Sequence, residues 1–154
     1  MEEIGMKATE LMIGDWLRYS PKSISMNNNY GGLYRAEGVS QDTISLGAKN
    51  YRFVVSDKEI DPIPLTAEIL EKNGFKYKTT DWDVVYEGPH YGKYNLKKFH
   101  VLIGKENVAL ASHYDYIGQG DVDAHVFAYI NYVHELQHAL RLCGLYEFAD
   151  NFKV

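Results

Sequence analysis

Five consecutive residues, His134-Glu135-Leu136-Gln137-His138, satisfy the H-E-x-x-H pattern. On a helix, two histidines at this spacing lie one turn apart on one side, so both imidazoles can hold a zinc ion while the glutamate polarises a metal-bound water. The chemistry implied is zinc-dependent hydrolysis, with His134 and His138 as ligands and Glu135 as base. A catalytic zinc also needs a third protein ligand and an open position for water. The extended metzincin pattern would put a glycine at Arg141 and a third histidine at Gly144, and neither is present. Glu147 and Asp150 remain as third-ligand candidates, in a tail too short for the second ligand helix of a gluzincin-type enzyme. On the helical wheel the two histidines fall about 100° and about 140° from the centre of the apolar stripe, which predicts a solvated rim or a partner-facing position.

Two further segments combine histidine, tyrosine and glycine: Pro89-His90-Tyr91-Gly92-Lys93-Tyr94, and Ser112-His113-Tyr114-Asp115-Tyr116-Ile117-Gly118-Gln119-Gly120. Tyrosine carries a large apolar face and a hydroxyl at low entropic cost, so Tyr91, Tyr94, Tyr114 and Tyr116 are candidates for a partner-binding surface on loops. The alternative is that they cover the ends of a sheet. Gly118-Gln119-Gly120 lacks the glycine pattern and lysine of a phosphate loop, and Asp121 and Asp123 would repel an anion. Cys143 beside Gly144 sits at a helix C-terminus, where the dipole disfavours a thiolate nucleophile.

The elements that must position these residues are short. Strand formers from Trp16 to Tyr19 follow a Gly-Asp turn, and the polar stretch from Pro21 to Gly32 reads as a loop. Strand-like segments recur at Leu33 to Val39, Thr43 to Leu46 and Tyr51 to Val55, and Pro62 and Pro64 end the series. Thr66 is a predicted N-cap and Asn73-Gly74 a predicted stop for a connector helix. Trp82 to Tyr86, Leu96 to Ile103 and Val108 to Ala111 read as a second set of strands. The last helix is predicted to start at an Asp121 cap, because Val122, Val126, Tyr129, Val133, Leu136 and Leu140 are spaced four, three, four, three and four apart.

The chain has 154 residues, 45% of them hydrophobic, a net charge of -5 and one cysteine. That suits one globular unit or two small lobes, and it removes disulfide-framework and thiolate-cluster readings. No apolar run is long enough for a membrane span, and the acidic start lacks the form of a secretion signal, so a cytoplasmic location is expected. Residues 76–105 alone are net basic, with six basic against three acidic residues. Only Lys97 and Lys98 are adjacent among Lys76, Lys78, Lys93, Lys97, Lys98 and Lys105, which argues against a nucleic-acid surface.

Three segments carry a resemblance. The opening Met6-Lys7-Ala8-Thr9-Glu10-Leu11-Met12-Ile13-Gly14-Asp15-Trp16 is one, and Ile60 to Thr66 with Glu68 to Phe75 is another. The third is Tyr132-Val133-His134-Glu135-Leu136-Gln137. Together they resemble a group of short uncharacterised proteins of gut anaerobic bacteria and their phages or prophages. The hallmark of that group is Tyr-Val-His-x-Leu-Gln, without a required histidine at the place of His138. The resemblance implies that the zinc-like pattern embellishes a structural helix, and it brings no known activity.

The expected fold is α+β: a small N-terminal antiparallel β lobe over residues 1–65, SH3-like or a partly open barrel, then a connector helix over 66–75. A second antiparallel sheet packed by the long C-terminal helix fills 76–154. The expected function is a non-enzymatic binding or accessory protein of phage or mobile-element origin, with a protein partner, no membrane and no cofactor. The alternative is the zinc-dependent hydrolase.

Overall fold

The computed structural model describes residues 6–21, 31–48, 50–78, 84–91, 94–95, 99–118 and 121–154. It is an α+β protein; the described residues form two antiparallel five-stranded sheets, neither closed into a barrel, and a two-stranded hairpin. The chain divides into two compact units, residues 1–64 with 132–151, and residues 65–131 with 152–154. The C-terminal helix, grouped by sequence with the second sheet, therefore belongs to the first unit.

In the first unit, β1 (Trp16–Tyr19), β2 (Gly32–Val39), β3 (Thr43–Ala48) and β4 (Tyr51–Ser56) form an antiparallel meander, and β5 (Ile60–Asp61) returns to pair with β1. Period-two patterning drives it: Ile44 and Leu46 of β3 are fully buried beside Leu17 of β1 and Ala36 of β2 in one apolar cluster. Tyr19, Tyr34 and Phe53 add edge-to-face ring contacts with centroids 5.3 to 6.3 Å apart. Of the loop predicted from Pro21 to Gly32, residues 22–30 lie outside the described residues, and Gly32 already belongs to β2.

The same unit holds α2 (Val133–Leu142) and α3 (Tyr146–Asp150). The expected start of the last helix at Asp121 is corrected: Asp121–Tyr129 is a strand, β12, paired with β11 (Val108–Gly118). Val122-Asp123-Ala124-His125-Val126 satisfies the strand period of two as well as a four-residue helical step, and the long partner strand decides between them. Tyr129, assigned by the wheel to the apolar stripe, is 67% exposed. Tyr132 stays extended and bridges to Pro64, so the helix begins one residue later. The remaining stripe is sound, with Val133, Leu136 and Leu140 all buried.

The second unit opens with α1 (Ala67–Lys72), where the Ile69 N–H donates to Thr66 Oγ1 and Gly74 ends the helix at φ +82. Its sheet runs β12, β11, β10 (His100–Ile103), β7 (Val84–Glu87) and β6 (Lys76–Lys78). A separate small hairpin joins β8 (His90–Tyr91) to β9 (Tyr94–Asn95). Leu70, Val85, Val101 and Ala111 are buried completely. Among the described residues no helix is long and apolar enough to cross a membrane.

Candidate functional site

The H-E-x-x-H helix meets a turn near the other end of the chain. Met12 to Asp15 forms that turn: the Asp15 N–H donates to Met12 O, and the Met12 N–H donates back to Asp15 Oδ2 at 2.8 Å. Gly14 suits the turn chiefly by its backbone conformation. Its φ of +94 lies in the left-handed region, and a Cβ there would stand 2.9 Å from Arg141 Nη2.

Four residues of α2 face this turn or lie beside it. Gln137 is completely buried; its Oε1 accepts the Trp16 N–H at 3.0 Å, and its Nε2 donates to Gly14 O at 3.2 Å and Ala149 O at 3.0 Å. Its carboxamide thus joins α2 and α3 to the start of β1 as a neighbouring strand would. Arg141 Nη1 donates to Asp15 Oδ1 at 2.6 Å, and its Nη2 lies 3.4 Å from Asp150 Oδ1. His138 Nε2 is 2.6 Å from Asp15 Oδ2. The Asp15 carboxylate, wholly buried, therefore takes a backbone N–H, a guanidinium and an imidazole. Such a set supplies the opposite charge and the hydrogen bonds that a buried carboxylate requires. Beside the turn, the Arg35 guanidinium lies 4.7 Å from the centre of the Trp16 ring and donates to Asp150 O.

His134 is the fourth residue. It is 6% exposed, stacks on Tyr132 with ring centres 5.9 Å apart, and meets the His138 ring edge-on at 5.6 Å. Among the described residues its buried Nδ1 has no hydrogen-bond partner. Burial holds its pKa down at about 4, against an upward pull from Asp15 and a further downward push from His138. The predicted rim position is thus corrected for His134, which is buried between Tyr132 and His138, whereas His138, with 21% of its side chain exposed, does lie at the rim.

The arrangement differs from a zinc helix. There both histidines turn toward one metal, whereas here the rings stand 78° apart and Nε2 of His138 faces a carboxylate already shared with an arginine. Among the described residues no group of three His, Cys, Asp or Glu is arranged to hold a metal ion. Asp150, a candidate third ligand, meets Arg141 instead, and Glu135 is half-buried. A carboxylate–imidazole pair such as Asp15–His138 can move protons in an enzyme. Here the carboxylate is also bound to Arg141 and the turn, an arrangement that locks a fold.

Sequence reasoning missed Asp15, Gln137 and Arg141 as a group. One signal was available: positions 137 and 141 are polar and four apart, so they share one side of the helix next to the apolar stripe. Tyr114 and Tyr116, expected on a loop, lie in β11 opposite Ala124 and Val122. Alternating tyrosines are strand formers, and this hairpin is longer than its Gly-rich end suggests. Tyr91 and Tyr94 face each other in register across the β8–β9 hairpin, likewise in strands. Gly92, Lys93, Lys97 and Lys98 lie outside the described residues. Cys143 is an exposed free thiol at the end of α2. Comparison with protein-family models, curated proteins and solved structures finds no match to this chain.

Proposed function

We propose that the chain is a non-enzymatic binding or accessory protein of phage or mobile-element origin that acts through protein contacts in the cytoplasm. One observation carries this reading: the polar groups of the H-E-x-x-H helix are turned inward to hold the first unit together. Asp15 occupies His138 Nε2, Gln137 bonds three backbone groups, and His134 is buried and neutral. Two of the three segments that carry the sequence resemblance, 6–16 and 132–137, meet in this clasp, in keeping with a structural hallmark. The meander, extended by β5 beside β1, supports reading this lobe as SH3-like, a fold that presents binding grooves. The tyrosine strands Tyr91, Tyr94, Tyr114 and Tyr116 supply the candidate contact surface.

The reading is tested with the immobilised full chain and an extract of its host. The expected result is a partner retained by the wild type and lost when Tyr91 and Tyr94, or Tyr114 and Tyr116, become serine. A chain that instead carries stoichiometric zinc, released by His138→Ala, and hydrolyses a peptide or ester would replace it with the hydrolase.

A further inference from the structure

The sheet of the first unit has one guarded edge and one open edge. At the guarded edge β5, Ile60–Asp61, is two residues long, and Pro62 and Pro64 follow it. Short strands and prolines are two means of keeping a free edge from pairing with another chain. The other edge is β4, Tyr51-Arg52-Phe53-Val54-Val55-Ser56, which uses neither. It pairs with β3 in one unbroken register of six residues, and Val54 is 67% exposed. Among the described residues no strand pairs with its outer side.

The ladder fixes which backbone groups that side presents. The Asp57 N–H donates to Asp42 O at 3.0 Å, so hydrogen-bonded pairs alternate from there, Val55 with Ile44 and Phe53 with Leu46. Arg52 and Val54 therefore turn their N–H and C=O groups away from β3, and Ser56 turns its N–H the same way. Such a row is a template for an added strand, main chain to main chain.

The row is complementary to itself. About a two-fold axis at Val54, Val54 lies opposite its own copy and Arg52 opposite Ser56. The Val54 and Ser56 N–H groups then face the C=O groups of Val54 and Arg52 in the other copy. Charge agrees with that direction. Arg52 stands near one end of β4, with 76% of its side chain exposed although it also meets Glu37. Asp57 and Glu59 follow the other end with Lys58 between them, and Asp42 lies beside Asp57. Antiparallel pairing brings the basic end to the acidic end twice. Parallel pairing would set like against like, and an axis at Arg52 would oppose two guanidiniums.

We propose that a second copy of this chain pairs with the first along β4, antiparallel about Val54, so that two five-stranded sheets become one. The two-fold contact is closed, and assembly stops at the dimer. One strand laid against another makes a small contact of the weak class, below about 1,200 Å². This contact goes beyond the capture of a host protein proposed above and uses neither tyrosine hairpin.

Sedimentation velocity of the full chain, from roughly 1 µM to roughly 1 mM, tests it. The expected result is a monomer that passes to a dimer, and to nothing larger, within that range. Val54→Pro removes an N–H that β3 does not use, so the fold stands while two hydrogen bonds of the dimer go at once, weakening association by about tenfold or more. Val54→Lys sets two ammonium groups face to face at the axis and has the same effect, relieved by about 0.5 M salt. Circular dichroism checks that both variants are folded, and the lysine variant answers where proline disturbs the strand. In the wild type the Val54 N–H gains protection from hydrogen exchange as concentration rises, whereas that of Val55 is protected throughout. A wild type monomeric at roughly 1 mM, or a dimer that both variants retain, overturns the proposal. So does a monomeric wild type whose capture of a host protein is lost in Val54→Pro, which would give the edge to a foreign strand. The dimer results do not depend on Tyr91, Tyr94, Tyr114 or Tyr116, so this reading and the tyrosine surface fail separately.

Discussion

Each unit captures a distant stretch of chain with one buried carboxamide, and the two captures differ in their surroundings. In the first unit Gln137 accepts the Trp16 N–H and donates to Gly14 O and Ala149 O. In the second, Asn73 accepts the Lys153 N–H at 2.8 Å and donates to Lys153 O and Ile69 O, both at 2.8 Å. Both side chains present the donor and acceptor that a neighbouring strand would have offered. Around Gln137, however, stand a buried carboxylate, a guanidinium and two imidazoles, whereas Asn73 works as the C-cap of α1 among backbone groups. A carboxamide is enough to hold a returning chain end. The ionic cluster of the first unit adds a condition, because each buried charge is tolerated only while its partner is present.

Removing one charge breaks the comparison most severely. Arg141→Met leaves Asp15 buried with only an imidazole and a backbone N–H, and a cost of about 3–5 kcal/mol is expected from urea unfolding followed by tryptophan fluorescence. The neighbouring clasp is next. Gln137→Glu replaces an NH₂ that faces two carbonyls with an acceptor, which is expected to cost about 2–4 kcal/mol at neutral pH. Burial raises the native pKa of that carboxyl above its unfolded value, so the variant binds protons more readily when folded and regains stability as pH falls.

Acid acts in the opposite sense on the wild type. His134 has a native pKa of about 4 against an ordinary 6.5, so the unfolded chain protonates first as pH falls. The stability tied to its neutral form is complete above pH 6.5 and declines toward pH 4, by about 3 kcal/mol at 1.36 kcal/mol per unit of pKa. His134→Phe keeps a ring against Tyr132, removes the unpartnered Nδ1, and should flatten that part of the pH profile. Asn73→Asp gives the smallest expected loss, about 1–2 kcal/mol, because its amide bonds lie at a helix end free of other buried charge. A loss there equal to that of Gln137→Glu would mean the ionic cluster adds nothing to the first clasp.

Local signals were readable without the structure. The strands of the meander, the Thr66 cap and the Gly74 stop follow from residue type alone, because caps and glycines in the left-handed region act within one turn of themselves. The boundary between β12 and α2 was not readable. Residues 121–129 fit both periods, and the choice came from pairing with β11, a contact that no local pattern contains. The site was legible in residue type but not in its surroundings. His134 and His138 are present on a helix as the motif requires, but the carboxylate that meets His138 belongs to Asp15, more than a hundred residues away in sequence, where no local pattern points to it.

The most direct measurement is urea unfolding of the wild type with and without zinc at roughly 100 µM. A site of micromolar affinity in the folded chain would raise stability by about 2.7 kcal/mol at a hundredfold excess over its dissociation constant. An inward-facing latch leaves the unfolding midpoint unmoved by zinc, while Arg141→Met lowers it sharply. A midpoint raised by zinc, with the increase abolished in both His134→Phe and His138→Ala, would contradict the latch and return the helix to metal chemistry.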